Sequence, residues 1–172
     1  MMNFQQHAVL LAHINTRMEQ HGDDEVLTLD LKITFDLPNK SLDMLSPTLR
    51  PSLYDPDDTV DLVDDDNTPH LRNPQLGLLK WAGKYSPVLF VFHDGDDEDD
   101  DLRFSDAKLD RIVFDAQDGG TVGYTVRIQV HPDSGEVAGR ISELLHQPDI
   151  RGTLEASDEA LAENGDNEDD AE

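Results

Sequence analysis

The chain has 172 residues, with 38 Asp and Glu against 13 Lys and Arg, a formal charge of −25, and no cysteine. That length suits one domain with one buried core, and the missing cysteine excludes disulfide frameworks, cysteine-zinc sites and thiol nucleophiles while fitting a reducing cytoplasm. The charge argues against a generally basic nucleic-acid binder and against an anionic membrane surface, and no apolar run approaches the ~20 residues of a membrane-spanning helix.

In chain order, residues 12–18 place Ala12, Ile14, Thr16 and Met18 in alternation with His13, Asn15 and Arg17, which reads as a strand. Because Val9, Leu10 and Leu11 break the period, a short helix over 8–18 is the competing reading. Residues 27–37 alternate strictly and predict a strand with one buried face, paired to the first through the turn-like segment 20–24. Ser41 is a candidate helix cap, and Ser46-Pro47 a second helix start that Pro51 keeps short. Leu42, Leu45, Leu49 and Leu53 form a stripe suited to packing on a sheet. Residues 76–81 and 85–92 read as strands joined by a tight connection at Ala82-Gly83-Lys84. Residues 109–114 and 122–130 read as strands joined by the hairpin turn Asp118-Gly119-Gly120. Val137, Ile141, Leu144 and Leu145 have the spacing of an amphipathic helix, and residues 150–154 read as a last strand. The expected fold is α+β and β-rich: an antiparallel sandwich or partly closed barrel of about seven strands with one or two short helices.

The acids are concentrated. Residues 55–66 and 94–101 hold seven each and residues 155–172 hold nine, with no Lys or Arg inside these stretches. The rest of the chain sets 15 acids against all 13 bases. The expected organisation is a single near-neutral domain over 1–156, with acidic loops at 55–74 and 93–101, and a disordered acidic tail over 157–172.

No catalytic or cofactor motif emerges. The 94–101 run has the oxygen-rich character of a calcium loop, but counting from Asp94 the positions that need Gly and Glu hold Asp99 and Ser105. The seven histidines, His7, His13, His21, His70, His93, His131 and His146, show no helical pair and no His-Glu-x-x-His. His7 with His13, or His93 with His131, are pairs that only the fold can decide. There is no nucleophile elbow, phosphate-binding loop or dinucleotide fingerprint. The expectation is a non-enzyme without metal or cofactor.

Two surfaces remain. Rows of carboxylates substitute for phosphates on a basic cleft, which points to Asp94, Asp96, Asp97, Asp99, Asp100 and Asp101, then Asp64, Asp65 and Asp66, as contacts to a basic protein surface. The competing surface has bases beside aromatics, Lys80, Trp81, Lys84 and Tyr85, with Arg103, Lys108 and Arg111 following, a composition on which single-stranded DNA stacks. In that reading the acidic C-terminal tail regulates binding. The acids could also serve solubility alone.

Leu42-Asp43-Met44-Leu45-Ser46-Pro47-Thr48-Leu49-Arg50-Pro51-Ser52-Leu53-Tyr54, Leu76-Gly77-Leu78-Leu79-Lys80-Trp81, Phe114-Asp115-Ala116-Gln117-Asp118-Gly119-Gly120-Thr121-Val122 and Arg127-Ile128-Gln129-Val130 resemble segments of a family of small uncharacterised bacteriophage and prophage proteins. The resemblance runs from about Gly22 to Leu154, and the acidic loops here are richer in Asp than the family pattern. It implies an accessory protein of early DNA-metabolism regions, in the host cytoplasm, acting in replication, recombination or counter-defence. It carries over no catalytic residue. The expected function is therefore a DNA-mimic-like acidic protein that binds a nucleic-acid-handling partner, with a single-stranded DNA-binding protein of phage replication or recombination as the alternative.

Overall fold

Alternation of apolar and polar residues, interrupted by bulges, determines how the sheet curls. The computed structural model of the chain describes residues 2–56 and 68–156. Asp64, Asp65 and Asp66, and the acidic tail expected over 157–172, lie outside the described residues. Strand β1 (Asn3–His21) turns through Gly22, at φ 66°, into β2 (Asp24–Pro38). β1 is a strand throughout, so the helical reading of residues 8–18 is overturned. Its pattern looked unclean because it changes partner: residues 3–9 pair with β7 (Ile150–Ala156) and residues 10–21 pair with β2. Register shifts after Phe4 and after Leu11 mark bulges, and each bulge inverts the faces that follow.

After β2 comes a 3-10 turn (Asn39–Met44) and a short helix α1 (Leu49–Leu53). Ser41 does not cap this turn. It is buried, and its Oγ lies 2.6 Å from the hydroxyl of Tyr124. The second helix starts after Thr48 rather than at Pro47, and Pro51 occupies its first turn, where no N–H is needed. Leu42 and Leu53 are core residues, and Leu45 and Leu49 pack against them. Tyr54 forms an isolated antiparallel bridge with Leu71, with backbone bonds from Asp55 N to the His70 carbonyl and from Arg72 N to the Leu53 carbonyl. The two flanks of the first acidic segment are thus stitched together at one point.

The remaining strands are β3 (Leu79–Trp81), β4 (Tyr85–His93), β5 (Leu102–Ala116) and β6 (Thr121–Val130). All pairings are antiparallel, and the order β5-β4-β7-β1-β2-β6 closes through β6 on β5 into a six-stranded barrel. β3 lies outside this ring on β5. The expected hairpin between β3 and β4 does not exist. Phe114 faces both Leu79 and Tyr124, and Leu109 faces both Tyr85 and Ile128. A strand residue has only two edges, so β3 and β4 share the edge of β5 opposite β6 and follow one another along it. Ala82-Gly83-Lys84 is a break between two collinear strands, not a turn. β3 is also shorter than the predicted 76–81 segment, since Leu76 and Leu78 are 50% and 70% exposed. β5 in turn begins seven residues before the predicted start at 109.

The β5–β6 turn places Gly119 and Gly120 at φ 98° and 89°, the left-handed region that the Asp-Gly-Gly sequence predicts. Helix α2 (Gly135–Glu143) is capped by Ser134, whose Oγ accepts from Val137 N at 3.3 Å. Ile141 and Leu144 reach the core, as the spacing predicts. The barrel interior is filled by Leu31, Ile33, Phe90, Phe92, Leu109, Ile112, Phe114, Tyr124 and Ile128, each 2% exposed or less. Burying one such side chain stabilises by roughly 1.5–3 kcal/mol. At Gly152 an added Cβ would lie 3.2 Å from Val9 and 3.5 Å from Phe90, so β7 packs there without a side chain.

Candidate functional site

The acidic run at 94–101 connects β4 to β5 at one end of the barrel. Glu98–Asp100 forms a single 3-10 turn, closed by Asp100 N on the Asp97 carbonyl (3.1 Å) and Asp101 N on the Glu98 carbonyl (3.2 Å). The loop is tethered on both flanks. Arg140 of α2 donates to Asp94 at 3.2 Å and also to the backbone carbonyl of Asp100. His93 Nδ1 meets Asp101 Oδ2 at 2.8 Å, while its Nε2 meets Thr153 Oγ1 at 2.7 Å. Asp94 and Asp101 are therefore structural, whereas Asp96, Asp97, Glu98, Asp99 and Asp100 are exposed. The tethers leave the middle of the loop as a small patch of carboxylates with a fixed position. The flanks of the first acidic segment dock elsewhere, with Gly119 N on the Pro69 carbonyl (2.9 Å) and Leu71 N on Asp118 (3.0 Å). That is the β5–β6 turn, at the opposite end of β5. The described flanks of the first acidic segment and the 94–101 loop therefore lie at opposite ends of β5. Asp118, which accepts from Leu71 N–H and meets His70, is held below the usual carboxylate range.

The aromatic surface expected around Lys80, Trp81, Lys84 and Tyr85 is not assembled as predicted. Tyr85 is 3% exposed and its ring belongs to the core. Trp81 donates from Nε1 to the Tyr85 hydroxyl at 3.0 Å and packs against the core. An added Cβ on Gly83 would sit 2.5 Å from that indole nitrogen, so the break between β3 and β4 is shaped around the Trp81–Tyr85 contact. Lys80 and Lys84 are exposed, and Arg103 is exposed near the acidic end of β5.

Lys108 and Arg111 instead join a polar wall that the sequence alone did not reveal. In register, His13 faces Lys32, Lys32 faces Arg127, and Arg127 faces Asp110. The next row is Asn15, Asp30, Gln129 and Lys108. A groove of about 570 Å³ runs over this wall, with Arg111, Thr125 and the exposed Leu78 on its rim. Asp110, 2% exposed, accepts two bonds of 2.6 Å from Arg127, and this contact raises the Arg127 pKa despite burial. Burial works against the charge of Asp30. Bonds from Arg17 (2.9 Å), Asn15 (3.3 Å) and Gln129 (3.0 Å) outweigh it and hold the carboxyl below its ordinary range. Both acids of the wall are thus neutralised by Arg17 and Arg127. Lys32, Lys108 and Arg111 make no ion pair among the described residues, which leaves the groove positive.

The histidines pair differently from the sequence alternatives. His131 lies beside His21, ring centroids 5.5 Å apart, rather than beside His93. His7 Nε2 contacts the Asp36 carbonyl at 2.6 Å, and His13 lines the groove. The molecule is thus a closed antiparallel β-barrel with a tethered acidic loop at one end and a basic groove on its wall. No family model, curated protein or solved structure matches the chain.

Proposed function

We propose that the protein is a non-enzymatic interaction module whose 94–101 loop docks on a basic surface of a nucleic-acid-handling partner. The observation that carries this reading is the tethering. Acids on a free loop would present no defined spacing, but Arg140, His93 and the 3-10 turn hold Asp96, Asp97, Glu98, Asp99 and Asp100 in one place. A fixed cluster of like charge speeds encounter with a basic cleft and competes with nucleic acid for it. The resemblance to phage proteins of early DNA-metabolism regions directs the choice of partner. The test neutralises the display while keeping the tethers: Asp96, Asp97, Asp99 and Asp100 to Asn with Glu98 to Gln. In a low-salt pull-down from bacterial lysate, the parent chain should capture a partner that elutes on adding salt, and the variant should capture none. Equal capture by both overturns the reading.

The basic groove favours a second reading, single-stranded nucleic acid laid across Lys32, Arg111 and Arg127. It moves the contact surface from the buried Tyr85 to the barrel wall. Fluorescence anisotropy with a labelled oligonucleotide should then show binding that Lys32→Ala and Arg111→Ala each weaken, with the salt slope falling by about one per lost phosphate contact. Absence of binding at low salt removes this reading.

A further inference from the structure

We infer that Glu19, His21 and His131 form a binding site for a divalent transition metal, with Zn²⁺ as the fitting ion. Glu19 and His21 are two apart on β1, so both side chains leave the same face of the strand. His131 follows the last residue of β6 and arrives from across β2, where Leu29 faces Val130. One ligand atom from each of the three lies within 4.8 Å of the others, the one such group among the described residues. His21 Nε2 and Glu19 Oε2 are 3.1 Å apart. That is close to the ~3.3 Å between two ligands of a tetrahedral ion with bonds of about 2.0–2.1 Å.

The surroundings orient the ligands as metal sites require. Thr28, fully buried, places its Oγ1 3.0 Å from His131 Nδ1 and 3.4 Å from the Val26 carbonyl. With the hydroxyl donating to that carbonyl, His131 Nδ1 donates to Oγ1, and Nε2 is the free ligand atom. Zinc-ligating histidines usually donate their other ring N–H to a polar group, which fixes the tautomer and the ring orientation. Arg17 pairs with Oε1 of Glu19, which fixes the carboxylate and leaves Oε2 facing His21. Two imidazoles and one carboxylate suit zinc over magnesium or calcium, which take oxygen ligands. A fourth position faces solvent, since His21 is exposed at the tip of the β1–β2 hairpin. The ion would join that tip to the chain entering α2, reinforcing the existing ring contact of His21 and His131.

The test is calorimetric titration of Zn²⁺ into the full chain in excess Mg²⁺, which occupies carboxylate-only sites. One saturable equivalent should appear. His21→Asn and His131→Asn should each abolish it, and Thr28→Val should weaken it about tenfold. Neutralising Asp96, Asp97 and Asp99 should leave it intact. His21 is exposed, so its variant reports on binding even where His131→Asn perturbs folding; circular dichroism separates the two. In parallel, Zn²⁺ should shift the imidazole ¹⁵N resonances of His21 and His131 and not those of His93. Binding unchanged in His21→Asn, or no saturable equivalent in the parent chain, overturns the site.

Discussion

Replacing Arg127 by methionine should destabilise the protein by about 3–5 kcal/mol, because it leaves a buried carboxylate without its cation. Asp110 is 2% exposed, and its two oxygens accept the paired 2.6 Å bonds of one guanidinium. The geometry is the planar fork that only arginine offers, so Arg127→Lys should recover part of the loss and not all of it. The double variant Asp110→Leu with Arg127→Met should be far less damaged than Arg127→Met alone, since an apolar pair of similar volume leaves no charge unpaired. Urea denaturation of the parent, Asp110→Leu, Arg127→Met and the double variant closes the cycle. A single-variant loss below about 1 kcal/mol would mean that water reaches Asp110 and that the pair behaves as a surface one.

Phe90→Ala should cost a similar amount, about 3–5 kcal/mol, through lost burial and the cavity left behind. Phe90 is fully buried on β4, its ring set edge-on to Phe92 at 4.8 Å and against the bare backbone of Gly152. Gly152 has no side chain to move into the space, and Val9 already touches the position its Cβ would take. The control is Leu78→Ala. Leu78 is 70% exposed and lies before β3, so its loss should stay within about 0.5 kcal/mol. The contrast reads directly on the barrel, because both leucine-rich 76–81 and aromatic 85–92 look like strand interiors in the sequence.

Strands are legible in the sequence as far as their alternation runs unbroken. β2 and β6 were readable because each alternates without interruption and packs one face throughout. β5 is only half legible because its parity changes twice. Leu102 and Phe104 face the core, then Ala107 and Leu109, then Ile112 and Phe114. The second of these changes falls at the bulge where Arg111 adopts φ 49°. A period of two cannot be traced through such a shift, yet the bend it produces lets one strand pair with β4 and β6 and carry β3 as well. The β3–β4 connection is illegible for a related reason. A short Ala-Gly-Lys connection fits a turn or a break equally well until a third strand is placed beside both.

The candidate surfaces divide the same way. The acidic run was visible as composition, because like charges in sequence are like charges in space. Its tethers were not, since Arg140, His93 and Thr153 come from α2, β4 and β7. The groove was invisible for the same cause. His13, Lys32, Arg127 and Arg111 lie on four strands, and only the register sets them beside one another. Lys32 and Arg127 did carry a signal, each standing at an outward position of a cleanly alternating strand.

The Tyr54–Leu71 bridge has a practical use. The chain leaves the barrel after Asp55 and is anchored again from Pro69, whose carbonyl accepts from Gly119 N. Closure entropy grows only with the logarithm of loop length, about 0.6 kcal/mol for each doubling. A peptide tag, a labelled cysteine or a small folded insert placed within 57–67 for imaging or capture leaves these anchors in place. Both flanks stay anchored by the backbone bonds of Asp55 and Arg72, at the end of the barrel away from the 94–101 loop.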